Sequence, residues 1–486
     1  MAAQAAAGRR ETLTPEEEIK LREFWLAVLD VFGILQHPES ETNGSTLQPV
    51  TTEEPPGGTV RADTAGSEKK KRRFGIFSRK KNDKEDTVDE APAAKAAMEA
   101  VPTSPATVIS SSPATRDRYD QIKDFKKALA SQSSESLRAS FWSMVKHDHP
   151  DSLLLRFLRA RKWDIDEALV MLVAAMHWRS TEMHVDDDVI KNGDAAAVEQ
   201  CKSTDAAEKK EGEDFLTHLR LGKSYLHGTD KAGRPMCIVR VHLHEKGAQT
   251  ETSLERFTVH TIETARFLLD PPVDTACLIF DMTGFSMANM DYGPVRFMIK
   301  CFEANYPESL GVVVVHKSPW VFQGIWTIIK GWLDPVVASK VHFTKNIDEL
   351  EEYVARDHLP KELGGDEDWT YQYVEPAPGE NGAMSNDEAR QRLWTEREKT
   401  FGDFEQLTIK WASTTQTEPE KTASKGERDQ LAAQLRQNYW QVDPFVRART
   451  VYDRTGIIKP GGVLDFYPAA KSSAVPLEPS KADEVD

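Results

Sequence analysis

Cysteine is scarce in this chain, four residues in 486. Cys201, Cys237, Cys277 and Cys301 stand at least 24 positions apart, and no Cys-x-x-Cys occurs. That excludes a zinc ribbon and a thioredoxin-type motif. Cys237 and Cys277 fall in β-like apolar runs, where a free thiol behaves as a small hydrophobe, so the expected compartment is reducing and cytoplasmic. Long apolar runs are missing too. The longest cover nine residues (168–176) and five (311–315), whereas a spanning helix needs about 18–20. An integral membrane protein is excluded on that ground. The N-terminus lacks the apolar core of a secretion signal. Positive charge is in deficit, 62 Lys and Arg against 78 Asp and Glu for a net −16, which argues against a dedicated nucleic-acid binder. Hydrophobic residues make up 39%, below the usual level of about 45–50%, as expected when polar segments dilute a folded part.

What is present divides the chain into five stretches. In residues 1–36, Thr14-Pro15-Glu16-Glu17 forms a capping box. Leu21, Phe24, Trp25, Val28, Leu29 and Phe32 then recur at helical spacing, predicting one amphipathic helix. Residues 37–115 are rich in Pro, Gly, Ser, Thr, Ala and charge, the composition of a disordered linker. Within it, residues 69–81 read KKKRRFGIFSRKK, eight basic side chains in thirteen around Phe74, Ile76 and Phe77. Such a cluster suits an anionic membrane surface, at about 1 kcal/mol per cation, and a phosphate on Ser78 would weaken it. A targeting signal and a merely solvated charge block are the other readings of Lys69, Lys81 and the cations between them.

Residues 116–190 are helical in pattern. Asp164 and Glu167 cap a helix whose face carries Ala168, Leu169, Leu172, Met176 and Trp178. In residues 191–375 a loop is expected near 192–212. After it, strands around Cys237, at 276–281, 311–316 and 341–343 alternate with helices starting near Ser253 and Tyr292. Continuous Val/Ile/Leu runs between helices predict an α/β fold with a mostly parallel sheet buried on both faces. Residues 376–486, with Trp394, Trp411 and Trp440, form a polar helical extension having too few regular apolar positions to be assigned as a domain.

Enzymatic and metal chemistry find little support. Gly284-Phe-Ser286-Met-Ala288 departs from the G-x-S-x-G nucleophile elbow at its last position. Ser286 reads as a turn or capping residue, with His316 only an imagined base. His242-Leu-His244, placed on one strand face, and His147 with His149 lack a third ligand of matching geometry, so no metal is expected. No phosphate-cradling glycine motif and no cofactor motif occur.

Residues 318–334 are the informative segment. Trp320, Val321, Phe322, Ile325, Trp326, Ile328, Ile329, Trp332 and Leu333 cover nearly every side of a helix. A helix apolar all round is either deeply buried or meets lipid, and its tryptophans suit a membrane interface. Glu308 after Tyr306-Pro307, and Lys340 before Val341, flank it. A greasy wall beside a few placed charges is what a pocket for an amphiphile requires. Arg156, Arg159, Arg161 and Lys162, on one helix, are either phosphate contacts or solvated charges.

These segments resemble the CRAL-TRIO family of fungal phosphatidylinositol-transfer proteins. The matching stretches are DSLLLRFLRARKW at 151–163, GTDKAGRP at 228–235, DMTG at 281–284, YPESLG at 306–311, DPVVASK at 334–340 and PKELGG at 360–365. The resemblance spans about residues 116–375 and rests on several ordered motifs. It implies an N-terminal helical lobe (116–190) and a lipid-binding lobe (191–375) with an apolar gate helix over an acyl pocket, formed by Trp320, Phe322, Ile325, Trp326, Ile329, Trp332 and Leu333. It also implies that Arg161, Lys162, Glu308 and Lys340 hold a phosphatidylinositol headgroup, cations pairing with phosphate oxygens and the carboxylate accepting from hydroxyls or orienting the lysine.

Two departures refine this. Val337 stands where many members have Thr, and Leu226, Cys237, Ala276 and Leu278 stand where phosphatidylcholine-binding members carry hydroxyls. The expectation is a non-enzymatic, cytoplasmic, transiently membrane-associated carrier of phosphatidylinositol without strong phosphatidylcholine exchange. A second apolar lipid such as a sterol or isoprenoid, or a sensor presenting lipid to a kinase, are the alternatives. No nucleic acid partner is expected.

Overall fold

The computed structural model describes residues 6–35, 117–413 and 415–468, so the linker and its basic stretch at 69–81 lie outside the described residues. The first helix, Pro15–Val31, starts at the expected capping box. Thr14 Oγ1 accepts from the Glu17 N–H at 3.2 Å, and Glu17 Oε2 accepts from the Thr14 N–H at 3.0 Å. Its buried face (Leu21, Phe24, Trp25, Val28, Leu29) joins a core supplied by helices Gln121–Ser131, Ser134–Val145, Pro150–Ala160 and Ile165–His177. Asp164 caps the last of these by accepting from the Glu167 N–H at 2.9 Å.

The C-terminal extension completes that core. Helices Asp387–Ala412 and Glu418–Val446 form a hairpin whose Phe401, Phe404, Trp411, Ala432 and Leu435 are buried among the N-terminal helices. Their apolar positions are few because buried polar ties share the contact. Arg428 donates to both Asp151 oxygens (3.0 and 2.5 Å), and Trp25 Nε1 donates to the same carboxylate at 2.7 Å.

The sheet holds β1 (Ser224–Thr229), β2 (Pro235–Arg240), β3 (Ala276–Asp281), β4 (Leu310–His316) and β5 (Val341–Thr344) in spatial order 1-2-3-4-5. β1 runs antiparallel to β2 and the other pairs are parallel. Register carries two rows across the sheet: Cys237, Leu278, Val313 and Val341, then Val239, Phe280, Val315 and Phe343. Because side chains alternate faces, both rows point the same way. The opposite rows, with Ile238, Ile279 and Val314, pack on Leu350, Val354, Leu359 and Leu363. The edge of β1 is covered, as an exposed strand edge otherwise invites pairing with another chain. The Leu226 and Thr229 N–H groups donate to the Tyr452 and Tyr467 hydroxyls at 2.8 and 3.0 Å.

Three local expectations are corrected. The stretch near 192–212 is largely helical (Ile190–Gln200 and Ala206–Leu221), with Asp205 capping the second helix through the Ala207 and Glu208 N–H groups. His242 lies in a single 3-10 turn, Val241–Leu243, so it does not share a strand face with His244. The apolar helix is shorter than its composition suggests, Phe322–Lys330, leaving Trp320 before it and Trp332 and Leu333 after it.

Candidate functional site

The two sheet rows floor an apolar cavity of about 260 Å³. Helices Glu251–Phe267 and Tyr292–Lys300 contribute Phe257, Ile262, Val295 and Met298 to its walls, and Phe302 continues the second wall. Cys237 is part of the floor. Burial pushes its thiol up to about 12, so it acts as a small hydrophobe there.

The helix Phe322–Lys330 roofs the cavity with Phe322, Trp326 and Ile329, and Leu333 follows on the same side. Ile325 is buried beside Met282 and Val315. The outer side is not covered: Ile328 is 47% exposed and Trp320, just before the helix, 87%. A core helix would bury both. Trp332 turns to Tyr292 and Arg296, its ring 5.3 Å from the first and 4.4 Å from the guanidinium of the second.

Charges gather beside the cavity. Lys340 Nζ lies 3.7 Å from Glu308 Oε2, next to the lining residues Val337, Val341 and Leu310. Glu308 has a φ of 54°, a conformation uncommon outside glycine. Arg156 holds it there, donating to the Glu308 carbonyl at 2.9 Å and to the Asp274 carbonyl at 2.6 Å. Arg9 and Arg159 share the Asp274 carboxylate, at 2.5 and 3.4 Å. Burial, with Arg9 and Arg156 close by, pushes the Arg159 guanidinium down to about 9. Two guanidiniums on the Asp274 carboxylate, and a third on the Asp274 and Glu308 carbonyls, leave this corner rich in positive charge.

Of the four headgroup candidates, Glu308 and Lys340 therefore meet. Arg161 sits apart, donating to Gln121 Oε1 at 2.6 Å. Burial lowers its pKa, against the pull of Glu167, Asp334, Asp117 and Glu303. Lys162 is exposed, with a φ of 52°, at the end of the same helix. Arg156 and Arg159, whose spacing left two readings open, are the side chains that reach the Glu308 corner.

A model described as CRAL/TRIO domain matches residues 219–365, and one described as CRAL/TRIO, N-terminal domain matches 121–174. A CRAL-TRIO domain-containing protein of Schizosaccharomyces pombe, C3H8.02, is 39% identical and aligned over 93% of each chain. Phosphatidylinositol transfer protein CSR1 of Eremothecium gossypii is 36% identical over 94% of this chain and all of its own. This chain belongs to the CRAL-TRIO family. A further relative, SEC14 cytosolic factor of Yarrowia lipolytica, is 31% identical over 44% of this chain and 43% of its own. The matches to C3H8.02 and CSR1 cover more of the chain than the family models do, in keeping with a C-terminal hairpin built into the CRAL-TRIO body.

Within this CRAL-TRIO fold the departures noted from sequence separate. Val337, Cys237 and Leu278 line the cavity, whereas Leu226 packs with Phe267, Tyr439 and Tyr452. Ser286 caps a 3-10 turn, its N–H and hydroxyl donating to Asn289 Oδ1 at 2.7 and 3.0 Å. His316, buried, bonds Thr344 Oγ1 at 2.9 Å, so the two form no nucleophile–base pair. His244 stands 3.5 Å from Asp291. Among the described residues no helix is long and apolar enough to cross a membrane. Sequence reading missed Asp274, whose partners lie more than 100 positions away, and Glu303, which bonds Asp334 31 positions on and Arg118 and Tyr119 more than 180 positions back, so neither leaves a local pattern.

Proposed function

We propose that this CRAL-TRIO protein binds phosphatidylinositol and carries it between membranes without chemically changing it. One observation carries the reading. An apolar cavity lies under a helix with one face turned inward and apolar side chains outward, beside the Glu308–Lys340 pair and the arginines around Asp274. Acyl chains in the cavity leave water at about 0.8 kcal/mol per buried CH₂. The headgroup phosphate takes Lys340, and Glu308 accepts from inositol hydroxyls, while Arg161 and Lys162 join only if they leave their present places at the end of the helix Pro150–Ala160. Opening of the helix at a bilayer admits and releases the lipid. Between membranes the carrier is cytoplasmic and peripheral, and residues 69–81 add attraction to anionic lipid. The CSR1 relative, named as a phosphatidylinositol transfer protein, supports the same ligand.

A second reading has its own support. Cys237, Leu278 and Val337 carry no hydroxyl on the floor and rim of the cavity, whose hydroxyls come from Ser224, Thr258 and Thr261 instead, and that favours a neutral sterol- or isoprenoid-like lipid over phosphatidylcholine. Native mass spectrometry with lipid identification on protein from a eukaryotic host separates the two. Bound phosphatidylinositol that is lost in Lys340→Ala, with an unchanged circular dichroism spectrum, is the expected result. A neutral lipid in its place, or Lys340→Ala retaining phosphatidylinositol as well as wild type, refutes the headgroup assignment.

A further inference from the structure

The roof helix is held very unequally at its two ends. Around its start, Phe322 bonds back only to the Pro319 carbonyl at 2.9 Å, Trp320 is exposed, and a Cβ added to Gly324 would meet nothing within 4 Å. Among the described residues, side chains 318–331 make no hydrogen bond or ion pair to another element, so that end rests on apolar contact alone. Past its end the opposite holds. Glu303, on the turn Cys301–Asn305 that extends a cavity wall, takes the Asp334 N–H on Oε1 at 2.6 Å. Its Oε2 takes the Tyr119 hydroxyl at 2.6 Å and Arg118 Nη1 at 3.2 Å. The same Arg118 nitrogen donates to the Trp332 carbonyl at 2.8 Å.

One carboxylate, its side chain only 6% exposed, thus joins three parts: the entry to the helical lobe (118–119), the cavity wall (303) and the exit from the roof helix (332–334). Hydrogen bonds to a charged group are the strong ones, and the Tyr119 bond is the part-buried one of the set, the bonds to Arg118 and Asp334 being open to solvent. Trp332, wedged between Tyr292 and Arg296, fixes the same exit segment from the other side.

We infer that Glu303 is a positioning residue that clasps the exit end of the roof helix to both lobes and so sets how fast lipid is exchanged, not how tightly it is held. The inference rests on the carrier reading, since a roof that never opens has no exchange rate to set. Glu303 is not among the cavity-lining residues, and the clasp closes the roof over an empty or a filled cavity alike. Weakening it speeds entry and exit together and leaves their ratio, the affinity, unchanged.

The test uses the full chain, with Glu303→Gln, which keeps the shape and removes the charge, and Arg118→Met beside it. Hydrogen–deuterium exchange without added lipid reads the clasp directly. Amides of residues 322–334 should exchange about ten-fold faster in either variant, roughly the effect of one charge-assisted bond, while β3 and β4 stay protected. Unchanged exchange there overturns the clasp, whatever the ligand proves to be. Transfer of pyrene-labelled phosphatidylinositol between vesicles then reads the consequence. A faster rate with unchanged equilibrium partition supports the inference. An unchanged rate, or a loss of partition in step with the rate, overturns it. Faster amide exchange with no transfer by wild type would instead leave the clasp standing and remove the carrier reading. If Glu303→Gln does not fold, Arg118→Met alone decides, since Arg118 is half exposed and touches only the clasp.

Discussion

Replacing Arg428 with methionine tests how deeply the C-terminal hairpin is built into the core. Arg428 is fully buried, stacked 4.2 Å from Trp411 and 4.5 Å from Phe404, with Nε donating to Thr408 Oγ1 at 2.9 Å. Its two terminal nitrogens neutralise Asp151 in the helix Pro150–Ala160. Burial alone would raise the Asp151 carboxyl, but Arg428, with His149 beyond it, outweighs burial and holds it well below the usual range. Methionine fills much of the same space and leaves Asp151 buried with Trp25 as its remaining strong donor. Breaking one side of a buried pair costs about 3–5 kcal/mol, a large share of a total stability of about 5–15 kcal/mol. Urea unfolding followed by circular dichroism at pH 7 should show that loss. The wild-type carboxylate contributes stability above its unfolded pKa of about 4, lost only as pH falls towards the depressed folded value. In the variant the folded carboxyl titrates higher and gains a proton on mild acidification, so the gap to wild type narrows towards pH 5. Adding Asp151→Leu to Arg428→Met should restore most of the loss, because no stranded charge remains. A single variant less than about 1 kcal/mol below wild type, or a double variant no better than the single, would refute the reasoning.

Mild acid should weaken the wild-type fold through its buried histidines. Burial pushes His147 and His260 down to about 4 and His218 to about 3, while the unfolded chain titrates near 6.5. A folded pKa below the unfolded one means stability present above about 6.5 and lost as pH falls towards 4, at up to about 1.4 kcal/mol per pH unit for each histidine; urea midpoints that stay flat between pH 7 and 5 would contradict this. Trp320→Glu should leave the unfolding midpoint within about 0.5 kcal/mol, as surface substitutions do, yet lower co-sedimentation with anionic vesicles several-fold. Equal sedimentation would show that the exposed tryptophan does not meet the bilayer.

The sequence by itself determined the parts whose signal is local. Strands buried on both faces announce themselves as continuous runs such as 311–315, because every side chain must be apolar there. The capping box at Thr14 and the N-cap at Asp164 are readable because cap and partner are three residues apart. Ordered family motifs named Arg161, Lys162, Glu308 and Lys340 together, and of these four the fold brings Glu308 and Lys340 to 3.7 Å while Arg161 turns to Gln121. Tertiary structure decided what depends on distant partners. The hairpin at 387–446 looked too polar to assign because its stability comes from shared burial with Trp25 and Phe141 and from Arg428 reaching Asp151, 277 positions away. The helices between 190 and 221 carry too little apolar periodicity to stand out and are held by packing against one another and the helix Glu251–Phe267. Composition made the roof helix apolar on all sides, but only the sheet beneath it chose which side would be the inside. Arg161 and Arg156 look alike along one helix, and the turn at Glu308 distinguishes them by placing its carbonyl within reach of only one. A carboxylate at 303 acquires its role only when the chain brings 118 and 334 to it, which no local pattern encodes.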